Sequence, residues 1–126
     1  MAEGLGFKRR CNHKQENVKI DNSKAQMRKG VLEFCILAII ASEKEIYPSD
    51  ILIRLKDAEL IVVEGTLYPL LNRLKDGGLL RYNWVESRTG PPRKYYQLTE
   101  IGQQFLKELR KTWKQLSEAV TQLTQN

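Results

Sequence analysis

The sequence is poor in the residues that catalytic, metal and disulfide chemistry most often requires. It has two cysteines, Cys11 and Cys35, and a single histidine, His13, among 126 residues. Two separated cysteines provide no disulfide framework, which favours a reducing compartment such as the cytoplasm. Cys11 and His13 could supply two metal ligands, fewer than a structural zinc site needs. No Ser/His/Asp set or glycine-rich phosphate loop is present, so we expect no enzyme, no metal and no cofactor.

Long apolar segments are also missing. The longest uninterrupted one runs from Phe34 to Ala41, whereas a transmembrane helix needs about 20 apolar residues. The basic amino-terminal region is not followed by an apolar stretch and a small-residue cleavage site, so no secretory signal is expected. We therefore expect no membrane association, and the length suits one domain with one core.

Positive charge is present in excess and is unevenly distributed. Lysine and arginine number 21 against 15 acidic residues, for a net charge of +6. Residues 1–30 contain eight cations against three acids, and residues 81–94 contain four against one. A local excess of this kind suits a polyanionic partner such as nucleic acid. The first 20 residues are polar and lack periodicity, which predicts a mobile tail, either simply solvated or acting as a DNA-contacting arm.

Hydrophobic spacing predicts two helices before residue 58. The first is capped by Asn22 or Ser23 and runs to about Ala41, with a buried stripe at steps of three and four that begins at Met27. The second begins near Pro48, because proline is tolerated in a first helical turn.

A third helix is predicted from about Glu64 to Asp76, ending at Gly77 and Gly78. Pro69 cannot donate a hydrogen bond to the carbonyl four residues back, so an irregular or late start is expected. The leucines of this segment are predicted to point inward. The residues predicted to point mostly outward are Thr66, Tyr68, Asn72, Arg73 and Lys75.

Strand-forming residues then predict a hairpin, with strands over 80–86 and 93–98 around a turn that contains Gly-Pro-Pro. The tip of this hairpin concentrates three cations, Arg88, Arg93 and Lys94. Trp84 is expected in the core of the hairpin. Tyr95 and Tyr96 point to opposite faces, so one should be buried and the other exposed.

Thr99 is predicted to cap a long final helix. Apolar residues recur along it at coiled-coil-like steps of three and four. One small domain leaves little core to receive so long a seam, so a second copy of the chain is the expected partner. The predicted dimer interface comprises Phe105, Leu109, Trp113, Leu116, Val120 and Leu123.

This order of elements predicts a mainly α fold with a small β-hairpin, the winged helix-turn-helix plan. We expect a basic tail over 1–21, a winged helix-turn-helix domain over 22–99 and a dimerisation helix over 100–126. The third helix would enter the major groove while the hairpin, or wing, lies on the neighbouring backbone. The predicted contacts with double-stranded DNA are Thr66, Tyr68, Asn72, Arg73, Lys75, Arg88, Arg93 and Lys94. The alternative is a protein–protein adaptor, since fold does not fix function, although an adaptor would tend to lack a basic wing tip.

Two strings within about 27–113 resemble the PadR family of bacterial transcriptional regulators. They are Glu64-Gly-Thr-Leu-Tyr-Pro and Arg93-Lys-Tyr-Tyr-Gln-Leu-Thr. The resemblance implies a homodimer and repression of adjacent genes, relieved by a small molecule or a stress signal. The single carboxy-terminal helix resembles the shorter-tailed branch. The resemblance further implies that Trp113 occupies a position where drug-responsive members stack flat aromatic ligands between subunits; simple interface packing is the other interpretation.

The sequence departs from the family pattern at two places. Tyr47-Pro48-Ser49-Asp50 stands where a His-Gly-Tyr-Glu-like start is usual, and Val63 stands where a serine usually precedes Glu64. Valine cannot cap a helix, so about 1 kcal/mol of stability at the start of the third helix is expected to be missing or supplied elsewhere. Neither departure involves the predicted DNA contacts.

Overall fold

The computed structural model describes residues 13–125, with side chains described from residue 19 onward. Residues 1–12 of the predicted tail lie outside the described part. The chain divides into two compact units, Met1–Leu32 and Glu33–Asn126. The described elements are helices α1 (His13–Glu43), α2 (Pro48–Asp57), α3 (Glu64–Asp76) and α4 (Glu100–Thr124), with strands β1 (Leu80–Ser87) and β2 (Gly90–Leu98) between α3 and α4. This order confirms the predicted fold class, while the division at residues 21 and 99 stays a prediction.

Helix α1 begins earlier than the sequence predicts. It starts at His13 rather than at the expected cap, Asn22 or Ser23. Residues 19–30 are all exposed, and Met27, predicted in the buried stripe, is 74% exposed. A helix that buries no face has no apolar periodicity, so this stretch could not be distinguished from a solvated tail. Residues 13–20 are therefore helical, while the mobility of the tail stays a prediction.

The core of the second unit draws on every element of that unit. Leucine and isoleucine predominate, and Tyr96 is the aromatic side chain at its centre. Tyr95, in contrast, is half-buried, so the prediction of one buried tyrosine is confirmed, whereas the exposure expected of the other is not observed. The buried apolar residues of this unit are Ile36, Leu37, Ile40, Ile46, Ile51, Leu55, Leu67, Leu71, Leu74, Leu79, Leu80, Tyr96, Leu98 and Leu106. None of the described helices has the length and apolar character needed to cross a membrane.

Helix α3 is regular from Glu64 even though Pro69 lies inside it. The irregular or late start is therefore not observed; the helix continues despite the hydrogen bond that Pro69 cannot donate and the crowding of its ring against the carbonyl four residues back. The predicted end is confirmed: Gly77 is the C-cap and Gly78 has a φ of +82°, a conformation that glycine adopts without a Cβ penalty.

The hairpin is longer and its turn tighter than predicted. Ser87 pairs with Gly90, and the register shifts between Val85 and Ser87. The two prolines therefore belong to β2 rather than to the turn, at an irregular part of the ladder where their missing N–H groups are tolerated. At its other end the hairpin is joined to the segment between α1 and α2 by a backbone bridge between Ile46 and Tyr96.

Candidate nucleic-acid interface

The outward face of α3 is polar and accessible. Its five predicted contact residues, Thr66, Tyr68, Asn72, Arg73 and Lys75, are all exposed. Burial, and then the nearby Glu64 and Tyr47, raise the pKa of Tyr68 above its usual value. A tyrosine phenol is protonated at neutral pH even without this shift, so it can donate a hydrogen bond to a phosphate oxygen. The face thus offers hydroxyls, an amide and cations, the groups that bond phosphates and base edges.

One of these cations already has a partner within the protein. A guanidinium nitrogen of Arg73 donates to a carboxylate oxygen of Glu33, on α1, at 2.9 Å. Ion pairs between exposed side chains contribute about 0–1 kcal/mol. A phosphate could therefore replace Glu33 at little cost, but Arg73 is not a free cation.

The three wing cations do not lie together. Arg88 is exposed at the turn. The Arg93 guanidinium lies 4.6 Å from the ring centroid of Tyr47, whereas the Lys94 ammonium lies 4.5 Å from that of Tyr82. Neighbouring residues of a strand point to opposite faces, so Arg93 and Lys94 occupy opposite sides of the wing.

Lys94 shares its side of the wing with a cation of α3. The ammonium of Lys75 lies 5.6 Å from the same Tyr82 ring. The structure therefore places one cation of α3 and one cation of the wing near the same ring. The sequence predicted each of them as a DNA contact but did not predict that they lie close together.

Prediction from the sequence missed one aromatic residue of this surface, Tyr82, and misplaced another, Trp84. Trp84, predicted in the core of the hairpin, is 61% exposed. It meets Tyr82 edge to face, with ring centroids 5.9 Å apart, and Lys94 lies 5.2 Å from its ring. Leu80, Tyr82 and Trp84 alternate along one face of β1, but only the Leu80 end is covered by the core. The alternation and the pairing of Trp84 with Lys94 were the signals that could have revealed this cluster.

The start of α3 has no side-chain cap. Val63 occupies the N-cap position, makes no capping hydrogen bond and is 66% exposed. The capping bond that a serine would provide is therefore absent.

We predict that Val63→Ser raises the free energy of unfolding by about 1 kcal/mol, because a serine oxygen can accept a hydrogen bond from the first turn. Urea denaturation followed by circular dichroism measures this. Val63→Ala is the control, since alanine also removes the valine methyls but cannot cap. A serine variant no more stable than the alanine variant would contradict the prediction.

Helix α4 carries an apolar seam that is largely uncovered in the single chain. Leu109 is half-buried, and the ring of Trp113 lies 6.4 Å from that of Phe34. The other residues of the seam are exposed by 39–83%: Phe105, Trp113, Leu116, Val120 and Leu123. In the part of the chain that was searched, no group of three or more His, Cys, Asp or Glu side chains is arranged to hold a metal.

Comparison with known proteins gives a consistent family. Residues 36–108 match the model of the transcriptional regulator PadR-like family. A PadR-like transcription factor from Bacteroides fragilis is 57% identical, with a TM-score of 0.69 over 82% of this chain and 99% of that one. Bacillus subtilis PadR, solved in complex with operator DNA, is 29% identical, with a TM-score of 0.57 over 63% of this chain and 45% of that one.

One curated relative, an uncharacterised protein from Lysinibacillus sphaericus, is 32% identical over 59 residues, which is 47% of this chain and 54% of that protein. The match spans about half the length of this relative. The family model covers more than half of the present chain, including α2, α3, the wing and the start of α4. The chain therefore belongs to the PadR-like family of transcriptional regulators.

Proposed function

We propose that this regulator binds duplex DNA as a homodimer at an inverted-repeat operator, in the cytoplasm where a bacterial chromosome lies. The observation that carries the proposal is the surface shared by α3 and the wing, on which Lys75 and Lys94 both lie within 6 Å of the Tyr82 ring. The operator complex of the Bacillus subtilis relative supports it. The proposal assigns the chain no catalytic role.

In this arrangement α3 enters the major groove and the wing follows the adjacent backbone. Thr66 and Asn72 would face base edges, while Tyr68 and Lys75 would bond phosphates. Arg73 would join them when a phosphate replaces Glu33. On the wing, Arg88 is exposed at the turn and the half-buried Lys94 lies on the α3 side, whereas the exposed Arg93 would reach only a backbone on the Tyr47 side.

The seam of α4 supports the homodimer. Exposed apolar residues in one continuous line are rarely left in water, and two copies packed about a two-fold axis would cover them with the same surface. That axis would place two α3 helices about 34 Å apart, one turn of DNA, which is why the operator should be an inverted repeat.

We also propose repression as the regulatory outcome, with release by a flat aromatic effector at Trp113. This side chain is 44% exposed and stands on the seam, so a ligand could stack on it between the subunits. Its fluorescence provides the readout once Trp84 is replaced.

The proposal predicts a steep salt dependence of DNA binding. Each phosphate neutralised by a lysine or arginine releases counterions, so affinity should fall at least about tenfold between about 50 and 200 mM salt. Fluorescence anisotropy with the upstream region of the protein's own gene measures this. Binding that ignores salt, or no binding to any duplex, would leave the adaptor interpretation.

The same assay tests whether the cations of the wing contact DNA. Arg93→Ala with Lys94→Ala should weaken binding to operator and random duplex alike, because phosphate contacts carry no sequence information. Arg110→Ala with Lys111→Ala removes the same two charges from an exposed site on α4 and should change little. Loss of operator binding with unchanged random binding would mean that the wing reads bases.

A further inference from the structure

We infer that Tyr82 and Trp84 form an aromatic platform that positions Lys75 and Lys94 for one shared DNA phosphate. This inference deepens the proposed function and rests on it. Tyr82 and Trp84 are assigned as positioning residues, while the two lysines contact the DNA.

The geometry centres on one ring. The ammonium groups of Lys75, from α3, and Lys94, from β2, lie 5.6 and 4.5 Å from the Tyr82 centroid. The two ammonium groups are therefore no more than about 10 Å apart. Lys94 also lies 5.2 Å from the Trp84 ring. Both cations are therefore within the range over which an aromatic face attracts a positive charge.

The platform itself is fixed from two sides. Trp84 meets Tyr82 at an interplanar angle of 89° with centroids 5.9 Å apart, the edge-to-face geometry that aromatic pairs prefer. On the core side, the Tyr82 ring lies 5.6 Å from that of the buried Tyr96. The ring is thus anchored to the core while Trp84 borders its solvent side.

Two ammonium groups within about 10 Å of each other repel, and an anion between them removes the repulsion. The negative ring face offsets part of this repulsion in the free protein. A backbone phosphate between α3 and the wing would offset the rest and would accept hydrogen bonds from both ammonium groups. Because the rings already restrict the lysine side chains, less conformational entropy is lost when the phosphate binds.

Asp76 competes for Lys75. The Lys75 ammonium lies 3.6 Å from a carboxylate oxygen of Asp76, and both side chains are substantially exposed. An exposed pair at this distance is weak, so a phosphate held by two lysines displaces it.

The test replaces one phosphate at a time by a neutral methylphosphonate along an operator half-site. For the wild-type protein, one position should cost about tenfold in affinity, as expected when a two-lysine contact is lost. Lys75→Ala and Lys94→Ala should each lower the penalty at that same position to about threefold, because one of the two lysine contacts remains. Tyr82→Leu, which changes no charge, should reduce the penalty there to less than about threefold, and Tyr82→Phe should restore it because the ring remains.

Two further variants separate positioning from general damage. Trp84→Leu alters an exposed side chain and should weaken the same methylphosphonate effect without unfolding the protein. Tyr95→Leu makes the equivalent change on the opposite face of the wing, beside Tyr47, and should leave the effect unchanged. Circular dichroism checks that each variant is folded.

The inference is overturned if Lys75→Ala and Lys94→Ala reduce the methylphosphonate penalty at different phosphates. It is also overturned if Tyr82→Leu and Trp84→Leu both keep the full penalty at the phosphate that the two lysines are proposed to share. Failure of the proposed function looks different, because the wild-type protein would then bind no duplex and no position would matter.

Discussion

Replacing Leu116 and Val120 by aspartate is expected to abolish dimerisation and operator binding together. Both side chains are about half exposed in the single chain, so the double variant should still fold as a monomer. In a two-fold dimer, four carboxylates would enter a dry seam without partners. Each costs at least about 1–3 kcal/mol, more than an interface of this kind can lose. Operator affinity should fall with dimerisation, because the second half-site no longer binds at high effective concentration.

Sedimentation and anisotropy measure the two effects on the same samples. Thr121→Asp with Gln122→Asp is the matched control, since it adds the same charge to exposed positions of α4 beside the seam. A folded monomeric double variant that binds the operator as tightly as wild type would contradict the dimer model. So would a wild-type chain that stays monomeric at micromolar concentration.

Gly102→Ala is expected to be strongly destabilising even though it adds a single methyl group. Gly102 is buried in the first turn of α4, and a Cβ there would overlap the backbone carbonyl oxygen of Leu79 and lie 3.2 Å from a methyl of Leu98. That carbonyl accepts a hydrogen bond from the Thr99 amide at 3.0 Å, so it cannot turn away without losing it. We expect a loss of about 3 kcal/mol, the upper range for overpacking a core.

Urea denaturation of Gly102→Ala and Gly65→Ala provides the comparison. Gly65 is also helical, but nothing lies within 4 Å of a Cβ built there. Alanine should therefore raise stability at Gly65 by about 0.5–1 kcal/mol, through helix propensity. Equal stability of the Gly102 variant and wild type would mean that α4 does not pack against Leu79 as described.

The sequence predicted best where burial and periodicity coincide. Helices α2 and α3 place leucine and isoleucine at steps of three and four, and glycine marks the end of α3, so their bounds followed from the residues. The cap of α4 is another confirmed detail, since the Thr99 hydroxyl accepts a hydrogen bond from the Gly102 amide at 3.0 Å. In these segments local preference and tertiary packing favour the same structure.

The prediction was wrong where a side chain's environment depends on how far the core extends. A tryptophan in a strand is usually at least partly buried, yet Trp84 is exposed because the wing projects beyond the elements that would cover it. Arg93 and Lys94 are adjacent in sequence and were treated as one cluster, although strand alternation separates them. The start of α1 was missed because a solvated helix lacks the apolar stripe that reveals a packed one.

The Thr99 hydroxyl has a consequence for how the two ends of this regulator could communicate. It donates to the Gly78 carbonyl at 2.6 Å while it accepts from Gly102. One side chain thus links the turn that ends α3 to the helix that carries the seam. A tilt of α4 must either move the Gly78 turn with it or break these bonds. In the proposed dimer, a change in the spacing of the two subunits would therefore reach the end of α3 through these two hydrogen bonds of Thr99.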